Sequence, residues 1–90
     1  MLETVLQLLN AKGNRKIGNH HKEVRGGVIS YFYMGNPVVV IDHTVRVIYV
    51  HRYTITIKGM SRVCESYLMS STYKYLTNTA NAYKIVEVII

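Results

Sequence analysis

The chain of 90 residues alternates between apolar stretches and short polar breaks. Residues 28–58 carry the densest pattern. Val28-Ile29-Ser30-Tyr31-Phe32-Tyr33-Met34 is followed by a break at Gly35-Asn36-Pro37. Val38-Val39-Val40-Ile41 comes next, then a polar break at Asp42-His43-Thr44 and a long run from Val45 to Lys58. Val, Ile, Tyr and Thr fit a pleated, half-buried surface, and the breaks hold turn residues. The pattern predicts an antiparallel meander of three strands on which the rest of the chain packs. In its first strand Val28, Ser30, Phe32 and Met34 share one face, and Ile29, Tyr31 and Tyr33 share the other. Pro37 cannot donate to a ladder, so it must start the next strand or lie on an edge. From Val45 on, Val45, Val47, Tyr49, His51 and Tyr53 fall on one face. Arg46, Ile48, Val50, Arg52 and Thr54 fall on the other, and Thr54-Ile55-Thr56-Ile57 continues the alternation.

The flanks read differently. Leu2, Val5, Leu6, Leu8 and Leu9 recur at helical spacing, which predicts a helix over Met1–Lys12 ended by Gly13. Asn14 to Arg25 is the most polar segment, with a strand expected over His20–Arg25. Gly26-Gly27 then predicts a hairpin that pairs it with residues 28–34. Met60, Val63, Cys64, Tyr67 and Leu68 lie on one helical stripe, predicting a second helix near residues 60–70 with Ser61 as its N-cap. Ser70-Ser71-Thr72 ends it. Tyr73–Leu76 and Tyr83–Ile90 read as a final hairpin around Asn78-Thr79-Ala80-Asn81. The expected fold is one α+β domain over residues 1–90, a mostly antiparallel sheet of about five or six strands with two helices.

Composition limits what such a domain can do. A chain of this length buries roughly 60–65% of its unfolded surface, leaving little room for a deep cleft. Eleven Lys and Arg face five Asp and Glu, for a net charge of +6. Nine of those basic residues lie between Lys12 and Arg62, where only Glu23 and Asp42 oppose them. A basic surface favours anionic partners such as nucleic acid, a membrane surface or an acidic protein. Cys64 is the sole cysteine, so no internal disulfide or zinc-type spacing exists, and a reducing compartment is the simple inference. Leu2–Leu9 is short and carries Glu3 without a basic flank, which does not read as a secretory leader. No apolar run approaches the ~20 residues of a membrane span. The expected setting is therefore the cytoplasm, with no membrane partner.

Residues 19–62 hold Asn19, Arg25, Tyr33-Met34-Gly35, Val38–Ile41 and Thr54-x-Thr56-x-Lys58 in that order. In these pieces the chain resembles a group of small, mostly uncharacterised phage and archaeal-virus proteins. His51-Arg52 stands where the group has Gly-Trp, Ile57 replaces the second of two consecutive threonines, and Arg62 falls later than the group's helix arginine. The resemblance covers about half the chain. It implies a β-rich viral accessory protein acting in a host cell, and it carries no known activity or site residues.

No catalytic pattern stands out. His20 and His21 are adjacent, so in a strand they point to opposite faces, and His43 and His51 lie apart. They read as solvated histidines, and no cofactor or metal is called for. Cys64 shares the apolar stripe of its helix, the place of a small core residue rather than a nucleophile. The five acids are scattered, against the clustered carboxylates that glycosidases and two-metal nucleases need. Gly26-Gly27 lacks the Lys-Ser/Thr of a phosphate loop.

The basic set is the signal with weight. Arg15, Lys16, Lys22 and Arg25 cluster before the hairpin, and Arg46 and Arg52 share a strand face in the expected register. Together they would make one positive surface for phosphates, with Tyr31 and Tyr33 (or Tyr49 and Tyr53) stacking unpaired bases. A non-enzymatic nucleic-acid-binding module is the first expectation. An inhibitor that occludes a host protein is the second, since a basic face also grips an acidic patch. A structural homo-oligomer, possible as a homodimer through Leu2–Leu9 or Val88-Ile89-Ile90, is the third.

Overall fold

In a computed structural model, residues 2–89 are described. Met1 and Ile90, the expected outer ends of the first helix and last strand, lie outside them. Helix α1 (Glu3–Asn10) leads into β1 (Arg15–Ile17), β2 (His20–Arg25), β3 (Val28–Tyr33), β4 (Asn36–Asp42) and β5 (Val47–Val50). Three helices follow, α2 (Arg52–Ile57), α3 (Ser61–Leu68) and α4 (Ser71–Thr77), and then β6 (Lys84–Glu87). The strands form one sheet in sequence order. Every neighbouring pair is antiparallel except β5 and β6, which are parallel. The α+β class, the N-terminal helix, the helix near 60–70 and the mostly antiparallel sheet expected from the sequence are all present.

Short turns set the meander. The β2–β3 loop is Gly26-Gly27, as the sequence predicts, but only Gly26 has positive φ, at 60°. Gly27 is needed for space: a Cβ there would stand 2.6 Å from Thr44 Cγ2 in the β4–β5 turn. The β3–β4 loop is Met34-Gly35, both at positive φ, so β4 begins at Asn36, before Pro37. Register then shifts: Tyr31 opposes Val39, but Phe32 opposes Pro37. Val38 is the extra residue of this bulge, and both Val38 and Val39 are buried.

All four helices pack on one face of the sheet. Ile29 and Tyr31 of β3, Val39 and Ile41 of β4, and Ile48 and Val50 of β5 belong to one apolar cluster with Val5 and Leu8 of α1. Ile55 of α2, Val63, Cys64 and Tyr67 of α3, and Leu76 of α4 complete this core. Tyr31 and Tyr67 touch ring to ring, with centroids 4.8 Å apart.

Three segments depart from the expected strands: Val45 and Arg46 lie in the β4–β5 turn, and two others are helical. Residues 52–57 form α2, although Thr54-Ile55-Thr56-Ile57 alternates. The sheet ladder stops at Val50, and the chain must cross over before it can run parallel in β6. The helix buries Ile55 alone and leaves Tyr53 and Ile57 more than half exposed. Tyr73–Leu76 lies in α4, not in a hairpin strand. Ser70 starts that helix, its hydroxyl accepting from the Tyr73 N–H at 3.1 Å, a side-chain cap that outweighs the β propensity of two tyrosines. Ser61 is not an N-cap: α3 follows Met60 without a side-chain cap. No helix among the described residues is long and apolar enough to cross a membrane.

Candidate nucleic-acid interface

With the helices on one face, the other face of the sheet is uncovered among the described residues. Strand register assigns its members. One cross-strand row runs Lys16, His21, Phe32. A second runs Glu23, Ser30, Val40, Tyr49, Val86. A third runs Arg25, Val28, Asp42, Val47, Lys84.

The first row holds the chemistry. His21 and Phe32 are register partners, and their rings stack with centroids 5.5 Å apart and planes 28° apart. Both are half-buried, and the exposed Lys16 of β1 is the register partner of His21. Lys16, Asn19, His21, Glu23, Phe32 and Met34 line a shallow depression of about 510 Å³ on this face. Two aromatic rings and an ammonium in one lining suit a planar ring joined to an anion. Tyr49 offers a further half-buried ring in the second row.

Charge around the face is mixed. Arg25 is exposed and pairs with Glu23 at 3.0 Å. Lys84 is exposed at the far end of the third row. Asp42 accepts from the Thr44 hydroxyl and backbone N–H. The hydroxyl, first, and the backbone bonds hold its carboxyl below the usual value, so it stays ionised. Arg46, at φ 55° in the β4–β5 turn, adds a cation at the Lys84 end of that row, where its carbonyl accepts from the Lys84 N–H.

The eight residues singled out from the sequence are therefore divided. Lys16 and Arg25 lie on the uncovered face, and Arg46 lies at its end. Arg15 is exposed but on the helix-covered side, opposite Lys22. Lys22 is buried, donating to the Ala11 carbonyl at 2.6 Å with its ammonium 5.7 Å from the centre of the Tyr31 ring. Burial pulls its pKa down. Tyr31 is 2% exposed, and burial raises its phenol to about 12. Tyr33 is half-buried against His20, ring centroids 4.7 Å apart, also on the covered side. Arg52 starts α2 and pairs with Glu87 at 3.3 Å. The expected single surface of Arg15, Lys16, Lys22, Arg25, Arg46, Arg52, Tyr31 and Tyr33 is thus corrected. Alternation separates the two faces of β3 but does not say which one the helices cover, and Arg46 and Arg52 do not share a strand.

Sequence reasoning passed over His21 and Phe32 as a pair. The Gly26-Gly27 hairpin fixes their register, and that register alone puts them side by side. Cys64 is fully buried, and burial pushes its thiol pKa up, which disfavours the thiolate. Among the described residues, no three His, Cys, Asp or Glu side chains are grouped to hold a metal ion. No family model matches the chain, and neither the curated proteins nor the solved structures give a significant match.

Proposed function

We propose that this chain is a small basic binding module that takes single-stranded nucleic acid on the uncovered face of its sheet. One observation carries the reading: the stacked His21–Phe32 pair beside Lys16 in an open depression. Base stacking on such rings is worth about 1–3 kcal/mol per base, and it tolerates any sequence because every base has a π face. Lys16, Arg25, Arg46 and Lys84 then face the phosphates, with Tyr49 as a second platform. Four phosphate contacts would give a log–log salt slope of about −3 for a single strand.

The same face favours a second reading. Val28, Val40, Val47 and Val86 form an apolar strip across it, and Glu23 and Asp42 repel phosphate. These features suit occlusion of a host protein surface.

Fluorescence anisotropy of labelled single- and double-stranded DNA and RNA, at low and moderate salt, separates the two. Micromolar binding to single strands that weakens with salt, and that falls in Phe32→Ala and Lys16→Ala, supports the first reading. No oligonucleotide binding at low salt sinks it and leaves the protein partner.

A further inference from the structure

We infer that β6 pairs edge to edge with β6 of a second copy of this chain, antiparallel, about a two-fold axis that passes through Val86 perpendicular to the sheet.

The two edges of the sheet differ. Strand β1 spans three residues with Arg15 and Lys16 exposed, a short charged edge of the kind that resists pairing. Strand β6 is the other edge, and all four of its residues are exposed. Ile85 is 48% exposed and Val86 42%.

Backbone parity defines what this edge offers. The Lys84 N–H donates to the Arg46 carbonyl at 3.0 Å, and the Val88 N–H donates to the Val50 carbonyl at 2.8 Å. Residues 84, 86 and 88 therefore turn their backbone groups toward β5. Ile85 and Glu87 turn theirs outward, where no further strand lies among the described residues.

An axis at Val86 sets Ile85 opposite Glu87 of the second copy, and Glu87 opposite its Ile85. Each such pair exchanges both of its N–H···O=C bonds, so every outward group finds a partner. Axes at Lys84, Ile85 and Glu87 fit less well. An axis at Ile85 brings Tyr83 opposite Glu87, but the Tyr83 N–H already donates to the Leu76 carbonyl at 3.0 Å. An axis at Lys84 or Glu87 sets like charges face to face.

The two Val86 side chains then meet on the axis as a non-hydrogen-bonded pair, with Cα atoms about 4.5 Å apart. Each Val86 adjoins its own Tyr49 in β5. The valine pair thereby joins Val40, Tyr49 and Val86 of the two copies. An axis perpendicular to the sheet also leaves both uncovered faces on the same side. The pairing needs nothing from the nucleic-acid reading.

Sedimentation of the full chain tests it, with concentration raised up to about 1 mM. The expected result is a shift from 10.3 kDa toward twice that mass. Val86→Cys is expected to cross-link two chains on mild oxidation, because its Cα separation suits a disulfide. Ile85→Cys and Glu87→Cys are expected to cross-link several-fold less, since neither faces its own copy. Val86→Lys, which sets two ammoniums on the axis, is expected to stay at 10.3 kDa with unchanged far-ultraviolet circular dichroism. A chain that remains monomeric throughout overturns the proposal. So does equal cross-linking at 85, 86 and 87, or a Val86→Lys dimer.

Discussion

The Lys22 ammonium donates to the Ala11 carbonyl, the C-cap residue of α1, over 2.6 Å. A cation from the sheet thus sits at the negative end of the helix that covers it. Residue Lys22 is 4% exposed, so its charge is held under that helix end rather than offered to a ligand.

Burial lowers the Lys22 pKa from 10.5, so this group opposes folding while it is charged in both states. Between its folded pKa and 10.5 the unfolded chain binds more protons, and stability rises with pH. Lys22→Met is expected to remove that rise. Chemical denaturation as pH rises toward 10.5 measures it, and an unchanged profile in the variant contradicts the assignment.

Tyr31 acts in the opposite sense from pH 10 upward. Its folded pKa of about 12 lies above the ordinary 10, so its contribution is complete below pH 10 and is lost as pH rises toward 12. Tyr31→Phe is expected to flatten the loss between those values. The test is denaturant midpoint against pH for both proteins, and equal slopes would refute it.

The Tyr67 hydroxyl is buried without a hydrogen-bond partner, and burial raises its pKa. Tyr67→Phe keeps the ring contact with Tyr31 and removes the orphaned group. The expected gain is about 1 kcal/mol, because an unpaired buried hydroxyl costs about 1–3 kcal/mol. Thermal unfolding reads the change, and a lower Tm in the variant would show that the hydroxyl is satisfied in solution.

Gly27 and Thr44 tie two turns together. Gly27→Ala is expected to destabilise by about 1–3 kcal/mol through the clash with Thr44 Cγ2. Thr44→Ser removes that methyl and keeps the hydroxyl that donates to Asp42. The double variant should recover most of the loss. Additive effects in the double-mutant cycle would mean that the backbone of Gly27, not the methyl, sets its requirement.

On the uncovered face, Phe32→Ala is expected to weaken single-strand binding by about 1–3 kcal/mol with little change in salt slope. Lys16→Ala is expected to reduce the slope by about 0.7 with a smaller loss at high salt. Titrations at several salt concentrations separate the two effects. If both variants change only the slope, the rings do not stack on bases.

Much of this fold is written as local pattern. Val28–Tyr33 alternates cleanly, Gly26-Gly27 marks its hairpin, and the stripe of Val63, Cys64 and Tyr67 marks α3. What failed to read was decided at a distance. Thr54–Ile57 alternates like a strand, but the ladder beside it ends at Val50, so helix is what remains for a buried Ile55. Tyr73–Leu76 is the exception: it has strand composition, but the Ser70 cap three residues away sets a helix there, a local signal that the run of tyrosines masks. For the site, both faces of β3 carry bulk, so pattern alone favoured Tyr31 and Tyr33 when Phe32 is the ring on the uncovered side. His21 gained meaning only from the residue across the strand.

The parallel pairing of β5 with β6 also orders assembly in time. Val47 and Lys84 are register partners, yet all of residues 51–83 intervene. The antiparallel ladders from β1 to β5 close over short turns, and each can form as soon as its own residues exist. The last strand has to wait for a long loop to close, and contacts across such separations form slowly. The edge at β6 is thus the youngest surface of the folding chain. Until it seats, β5 presents its own unpaired edge, and the crossover helices act as the clock that decides how long that edge stays open.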